Sequence, residues 1–277
     1  MKNYWLLLIY LLLPTLALSQ NNTAAPFVLG SIRTVHSTIL SEDRILNIYL
    51  PEGYKEEDSI HYPVIYLLDG GKEEDFIHVT GLIQFYNFEW IDRVPKSIVV
   101  GIANTDRKKD FTFPSTVPDE QRAYPTTGGS ASFIAFIEKE LKPFINKNFK
   151  TTQDAMLIGQ SLGGLLATEI VLKKPGLFNR YLLISPSLWW SDGVLLKEKN
   201  QPVTQRTQVY IAVGKEGLTP GKNPRIMEVD AHLLAEKLKE LKNSNLQVTM
   251  DYLPAEDHAT IGHQAVMNGL KALYPKR

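Results

Sequence analysis

Apolar positions along this chain follow two rhythms. Over residues 27–40 and 44–50 they alternate with polar ones, as in strands with one solvated face. From residue 63 onward they come mostly as short continuous runs, at 63–68, 97–103, 155–159, 181–185 and 208–213, with a further strand at 246–253. Each run has the length of a buried strand. Between them the period changes. In 130–149, Phe133, Ile134, Ile137, Leu141 and Ile145 mark one face of a helix. Helical patterns also span 162–173, 229–242 and 259–274. Apolar strands alternating with amphipathic helices predict an α/β fold: a mostly parallel central sheet with helices on both faces. The two alternating strands ahead of it predict an antiparallel N-terminal edge. Residues 104–129 carry Pro114, Pro118, Pro125, Gly128 and Gly129 with little periodicity, and read as one long functional loop.

The first residues belong to a different pattern. Lys2 precedes an apolar run over 5–13, Pro14 breaks it, and Ala17-Leu18-Ser19 supplies small residues for a peptidase. The run is shorter than the roughly 20 apolar residues of a membrane span. Residues 1–19 therefore read as a cleaved signal peptide, not a stable membrane anchor, and residues 20–277 as one exported domain. The chain contains no cysteine, which excludes disulfides, thiol nucleophiles and thiolate metal sites, and suits a bacterial periplasm or exterior.

Composition narrows the chemistry. Of 277 residues, 44% are hydrophobic and 22% charged, the balance of a folded globular chain. Lys plus Arg and Asp plus Glu are 30 each, and no dense basic cluster stands out, which argues against nucleic acid as the main partner. The six histidines form no His-Glu-x-x-His pair, so no metal site is expected.

Gly159-Gln160-Ser161-Leu162-Gly163 fits Gly-x-Ser-x-Gly, a common pattern on its own. Here it joins an apolar strand to a helix, the setting of a nucleophile elbow. The tight turn needs small neighbours at Gly159 and Gly163, with Gly164 adding clearance. It lifts Ser161 toward substrate and turns the Leu162 N–H toward a developing oxyanion. A serine needs a base. Downstream histidines are His232, His258 and His263. His258 follows the last strand and is the expected base, with His263 second. His232 sits within a helical pattern as a packing residue. Glu216 is the first carboxylate after the 208–213 strand and the expected acid; Asp230, Asp192 and Asp257 are alternatives. The turn Asp69-Gly70-Gly71-Lys72 supplies a second oxyanion N–H from Gly71 or Lys72.

Several blocks together resemble the Putative esterase family of α/β-hydrolases, which includes siderophore esterases, feruloyl and acetyl-xylan esterases and mycolyltransferases. They are Tyr66 to Gly70, Gly101 to Arg107, Gly128-Gly129, Gly159 to Gly164, Ser185 to Trp190 and Asp257-His258, spread over nearly the whole mature chain. The siderophore-esterase branch is the most similar. The resemblance implies the α/β-hydrolase fold, a Ser161/His258 pair and an acid after the penultimate strand. The family's acid often stands three residues after the glycine ending that strand, whereas Glu216 stands two after Gly214, so Asp230 stays open. Trp189 and Trp190 are expected to stack on a flat substrate group, or to pack under their loop. Arg107 is expected to bind an anionic or polar substrate group, or to pair with Asp106 or Asp110. These residues predict a serine esterase acting without cofactor or metal on a small-molecule or glycan ester. The alternatives are an acyltransferase with the same machinery or a non-catalytic binding protein on this fold.

Overall fold

The structure, a computed structural model, describes residues 24–219 and 224–275. The segment read as a signal peptide lies outside the described residues. The chain opens with β1 (Ser31–Ser37) and β2 (Glu42–Tyr49), then β3 (Tyr62–Leu67), α1 (Phe76–Tyr86) and β4 (Ile98–Ile102). Two short helices follow, α2 (Arg107–Phe111) and α3 (Pro118–Ala123). Next come α4 (Ser130–Phe136), a π-helical turn at Ile137–Leu141, and α5 (Lys142–Asn148). The second half alternates strictly: β5 (Thr151–Gln160), α6 (Leu162–Lys173), β6 (Arg180–Ile184), α7 (Trp190–Lys197), β7 (Thr207–Gly214), α8 (Met227–Lys239), β8 (Leu246–Leu253) and α9 (Ile261–Leu273).

The eight strands among the described residues form one sheet in the order β1-β2-β4-β3-β5-β6-β7-β8. β1 pairs antiparallel with β2, and β2 with β4; every other pairing is parallel. This is the parallel sheet with an antiparallel N-terminal edge that the two rhythms predict. Alternate strand residues feed two separate cores. Ile65, Leu67, Met156, Ile158, Leu182 and Ile184 pack with residues of α1 and α9 on one face. Tyr66, Leu157, Tyr181, Leu183 and Ile211 pack with residues of α4, α6 and α8 on the other. From β3 the chain steps through α1 to β4 on one side; from β5 it steps to β6 on the other. The carboxyl ends of β3 and β5 thus flank a topological switch point, where open α/β sheets place their ligands.

Two expectations need correction. Residues 104–129 are not structureless, since α2 and α3 lie within them. Asp106 caps α2 by accepting the Lys109 N–H at 3.0 Å. Helices of five and six residues are too short to show a period. The helix read over 130–149 is continuous in space but carries a π-helical turn, which hydrophobic spacing does not reveal.

Candidate active site

β5 ends at Gln160, and Ser161 follows with φ 58° and ψ −118°. A non-glycine residue in such a backbone costs on the order of 1–3 kcal/mol and persists only where its surroundings hold it. Here the Ser161 N–H donates to Ile184 O at 2.9 Å, and Ser161 O accepts from Leu165 and Ser187 at 2.9 and 3.1 Å. The glycines divide the steric work differently from expectation. A Cβ on Gly159 would lie 2.4 Å from Gly163 O, and one on Gly164 would lie 2.9 Å from Pro186 Cα. At Gly163 the nearest atom would be at 3.4 Å, an ordinary contact. Gly159 and Gly164 are therefore the positions without room.

Ser161 Oγ lies 3.0 Å from Nε2 of His258, which stands in the loop between β8 and α9. Nδ1 of the same ring lies 2.5 Å from Glu216 Oε2. Glu216 follows β7, and its side chain is 3% exposed against 45% for His258. Its other oxygen, Oε1, accepts from the Ser185 hydroxyl and from the Gly214 N–H. Burial pushes the Glu216 carboxyl up, but the bonds from His258, Ser185 and Gly214 outweigh it and hold the group below the ordinary carboxylate range. The acid loop is itself held. The Glu216 and Gly217 N–H groups donate to the Glu228 carboxylate at 2.9 and 3.0 Å, and the Lys215 N–H donates to Glu256 O at 2.7 Å.

The alternatives have other employment. Asp230 is bound through both oxygens by Arg225 at 2.7 and 2.6 Å. Asp257 caps the start of α9, accepting from Ala259 and Thr260 at 2.8 and 3.0 Å. Asp192 pairs with Lys197 on the surface. His263 Nδ1 faces His78 Nε2 at 3.2 Å, and His232 Nδ1 lies 2.7 Å from Glu228 O. Among the described residues no group of three or more His, Asp or Glu is gathered for a metal.

Three of the expected substrate contacts read differently in the structure. Trp190 is 2% exposed and its indole N–H donates to Phe113 O at 2.8 Å, so it packs under the loop and offers no face for stacking. Trp189 is half-buried, edge-on to Trp190 at 6.0 Å, and keeps part of its surface open. Arg107 forks onto Asp69 at 2.6 and 2.9 Å and reaches Gln160 O at 3.3 Å, so its charge braces the β3 and β5 ends. Neither Asp106 nor Asp110 is its partner: Asp106 caps α2 and Asp110 pairs with the buried Arg44 at 2.7 Å. Gly71 is not a free donor, because its N–H is bonded to Glu74 Oε2 at 2.7 Å. Glu74 Oε1 in turn accepts from Asn104 at 2.8 Å. The N–H groups of Leu162 and Lys72 have no hydrogen-bond partner among the described residues. A cavity of about 220 Å³ opens beside Gln160, with Asp75, His78, Thr260 and His263 in its wall.

The sequence of residues 37–265 matches the family described as Putative esterase. Ferri-bacillibactin esterase BesA of Bacillus subtilis is 29% identical, covering 93% of this chain and 94% of that one. An IroE-like serine hydrolase from Shewanella oneidensis superposes with a TM-score of 0.76 at 32% identity, over 88% of this chain and 80% of that one. The BES protein from Bacillus cereus gives 0.76 at 25% identity, over 92% and 99%. With an eight-stranded α/β-hydrolase sheet beneath that match, the chain belongs to the Putative esterase family and is an ester hydrolase.

Proposed function

We propose that this protein is an exported serine esterase that works through an acyl-enzyme, with Ser161 as nucleophile, His258 as base and Glu216 as acid. One observation carries the reading: a single imidazole lies 3.0 Å from Ser161 Oγ on one nitrogen and 2.5 Å from a buried carboxylate on the other. An ionised Glu216 only accepts, so Nδ1 carries the proton and Nε2 presents its lone pair to Ser161. Ser161 attacks the ester carbonyl while its proton passes to Nε2. The imidazolium so formed is stabilised by Glu216. The tetrahedral intermediate collapses, the ester C–O bond breaks, and His258 returns the proton to the departing alcohol. Water then repeats the sequence on the acyl-Ser161 ester and releases the acid. The Leu162 N–H faces the oxyanion as one donor; the second is the free Lys72 N–H, or the Gly71 N–H once Glu74 releases it. No step calls for a metal or cofactor.

The substrate class is a siderophore ester: the relative that aligns over 93% of this chain is named for ferri-bacillibactin, and a second, aligned over 32% of it, is named a siderophore enterobactin esterase. Trp189 supplies a partly open aromatic edge for a flat ring of such a substrate. The polar start and small-residue exit of residues 1–19 support export to a periplasm or exterior. The test is a panel of trilactone siderophores, feruloyl sugars and p-nitrophenyl esters, run with wild type and Ser161→Ala. Hydrolysis of the trilactone, lost by at least about 10³-fold in the variant, supports the reading. Preference for feruloyl sugars moves the substrate class, and a Ser161→Ala variant retaining a tenth of the activity overturns the nucleophile.

A further inference from the structure

Three parallel strands leave the sheet through a non-glycine residue in the left-handed region. They are Asp69 after β3 with φ 53°, Ser161 after β5 with φ 58°, and Ser185 after β6 with φ 41°. Glycine adopts this backbone freely, so a side chain kept there is kept for what it does. Asp69 receives Arg107 and Asn104. Ser161 faces His258. Ser185 is fully buried, and its hydroxyl donates to Glu216 Oε1, the carboxylate oxygen that His258 does not use. Its backbone is pinned as well, since the Ser185 N–H donates to Ala212 O at 2.8 Å.

We infer that Ser185 is a positioning residue for ester hydrolysis: its hydroxyl locks the Glu216 carboxylate so that Oε2 points at His258 Nδ1. This rests on the reading of Glu216 as the triad acid. A carboxylate is symmetric about its Cγ–Cδ axis and turns freely unless both oxygens are engaged. Here His258 engages Oε2, while Ser185 and the Gly214 N–H, at 3.2 Å, engage Oε1. The Gly214 contact alone is long. Ser185 thus supplies the firm half of the clamp. Of the charged groups around this carboxylate, His258 meets its side chain and Glu228 meets its backbone. Without the Ser185 hydroxyl the carboxylate is free to turn, and its hold on the imidazolium formed during turnover weakens.

Ser185→Gly separates this role from packing, because glycine removes the hydroxyl and relieves the strained backbone together. On p-nitrophenyl acetate it is expected to lower kcat about tenfold, or 1.4 kcal/mol, with KM unchanged. Its melting temperature should exceed that of Ser185→Ala, which loses the same bond but keeps the strained backbone. Ser185→Ala should show the same kinetic change with a lower melting temperature, and it carries the test if the glycine variant does not fold. Wild-type kcat in the folded variant overturns the inference. Glu216→Gln in the same assay tells the two failures apart. A crippled Glu216→Gln beside an unaffected Ser185→Gly sinks only the role of Ser185; an active Glu216→Gln sinks the triad reading itself.

Discussion

Glu216 and Asp230 are both carboxylates near the start of α8, and their partners assign them different work. Glu216 meets an imidazole, whereas Asp230 meets a guanidinium that binds both its oxygens. Glu216→Gln is expected to cut kcat by about 10²–10⁴-fold, because the amide keeps a contact but cannot stabilise the imidazolium. Asp230→Asn should leave kcat within about threefold and instead lower stability by about 2 kcal/mol, through a weakened charged hydrogen bond. Kinetics and thermal melts of both variants check this pair. Glu74 gives a second prediction. Its carboxylate occupies the Gly71 N–H, and its charge would repel an oxyanion there. Glu74→Ala should raise kcat/KM on an activated ester by about two- to tenfold, the worth of one released hydrogen bond. A fall instead assigns Glu74 to holding the turn. That Ser161, His258 and Glu216 come together was legible in the sequence, because the order of strands and turns places them at strand ends. Trp190 and Gly71 were not. Whether an indole is open or spent depends on Phe113, 77 residues away. Whether an N–H is free depends on a rotamer of Glu74, and neither leaves a mark in spacing or composition.

At the scale of elements, the elbow is defined by two close approaches. Gly159 faces the carbonyl of Gly163, and Gly164 faces the Pro186 backbone. Gly159→Ala would force a backbone carbonyl aside, since its Cβ would stand 2.4 Å from that oxygen. Loss of folded, active protein is expected. Gly163→Ala meets only ordinary contacts and gains helix propensity at the head of α6, so its stability should change by no more than about 1 kcal/mol in either direction. Expression and melting curves of the two variants make the comparison, and an unstable Gly163→Ala would contradict it. The sheet was readable from its buried runs, and α8 and α9 from a single buried face each. α7 went unread, being eight residues long with Ser191, Asp192 and Gly193 at positive φ inside it. α1 escaped notice for a different reason. Its segment Phe-Ile-His-Val-Thr-Gly-Leu-Ile-Gln-Phe-Tyr is apolar on several sides, with Ile77 and Phe85 exposed beside buried Val79 and Ile83, so no single face stands out.

Across the whole molecule, the site is shared among loops that the chain brings together late. Ser161 follows β5, Glu216 follows β7 and His258 follows β8 at the edge of the sheet. His258 lies 97 residues from Ser161 and 42 from Glu216. The ring has no place until β8 has paired along its full length with β7 and the Lys215 N–H has found Glu256 O. Non-local pairings of this kind are slow, because loop closure is opposed by entropy before any contact offsets it. Turnover therefore serves as a clock for the final act of folding. On dilution from denaturant, helical signal should return ahead of ester cleavage, and a chain caught between the two would have its helices but not its last strand, and would leave the ester uncut.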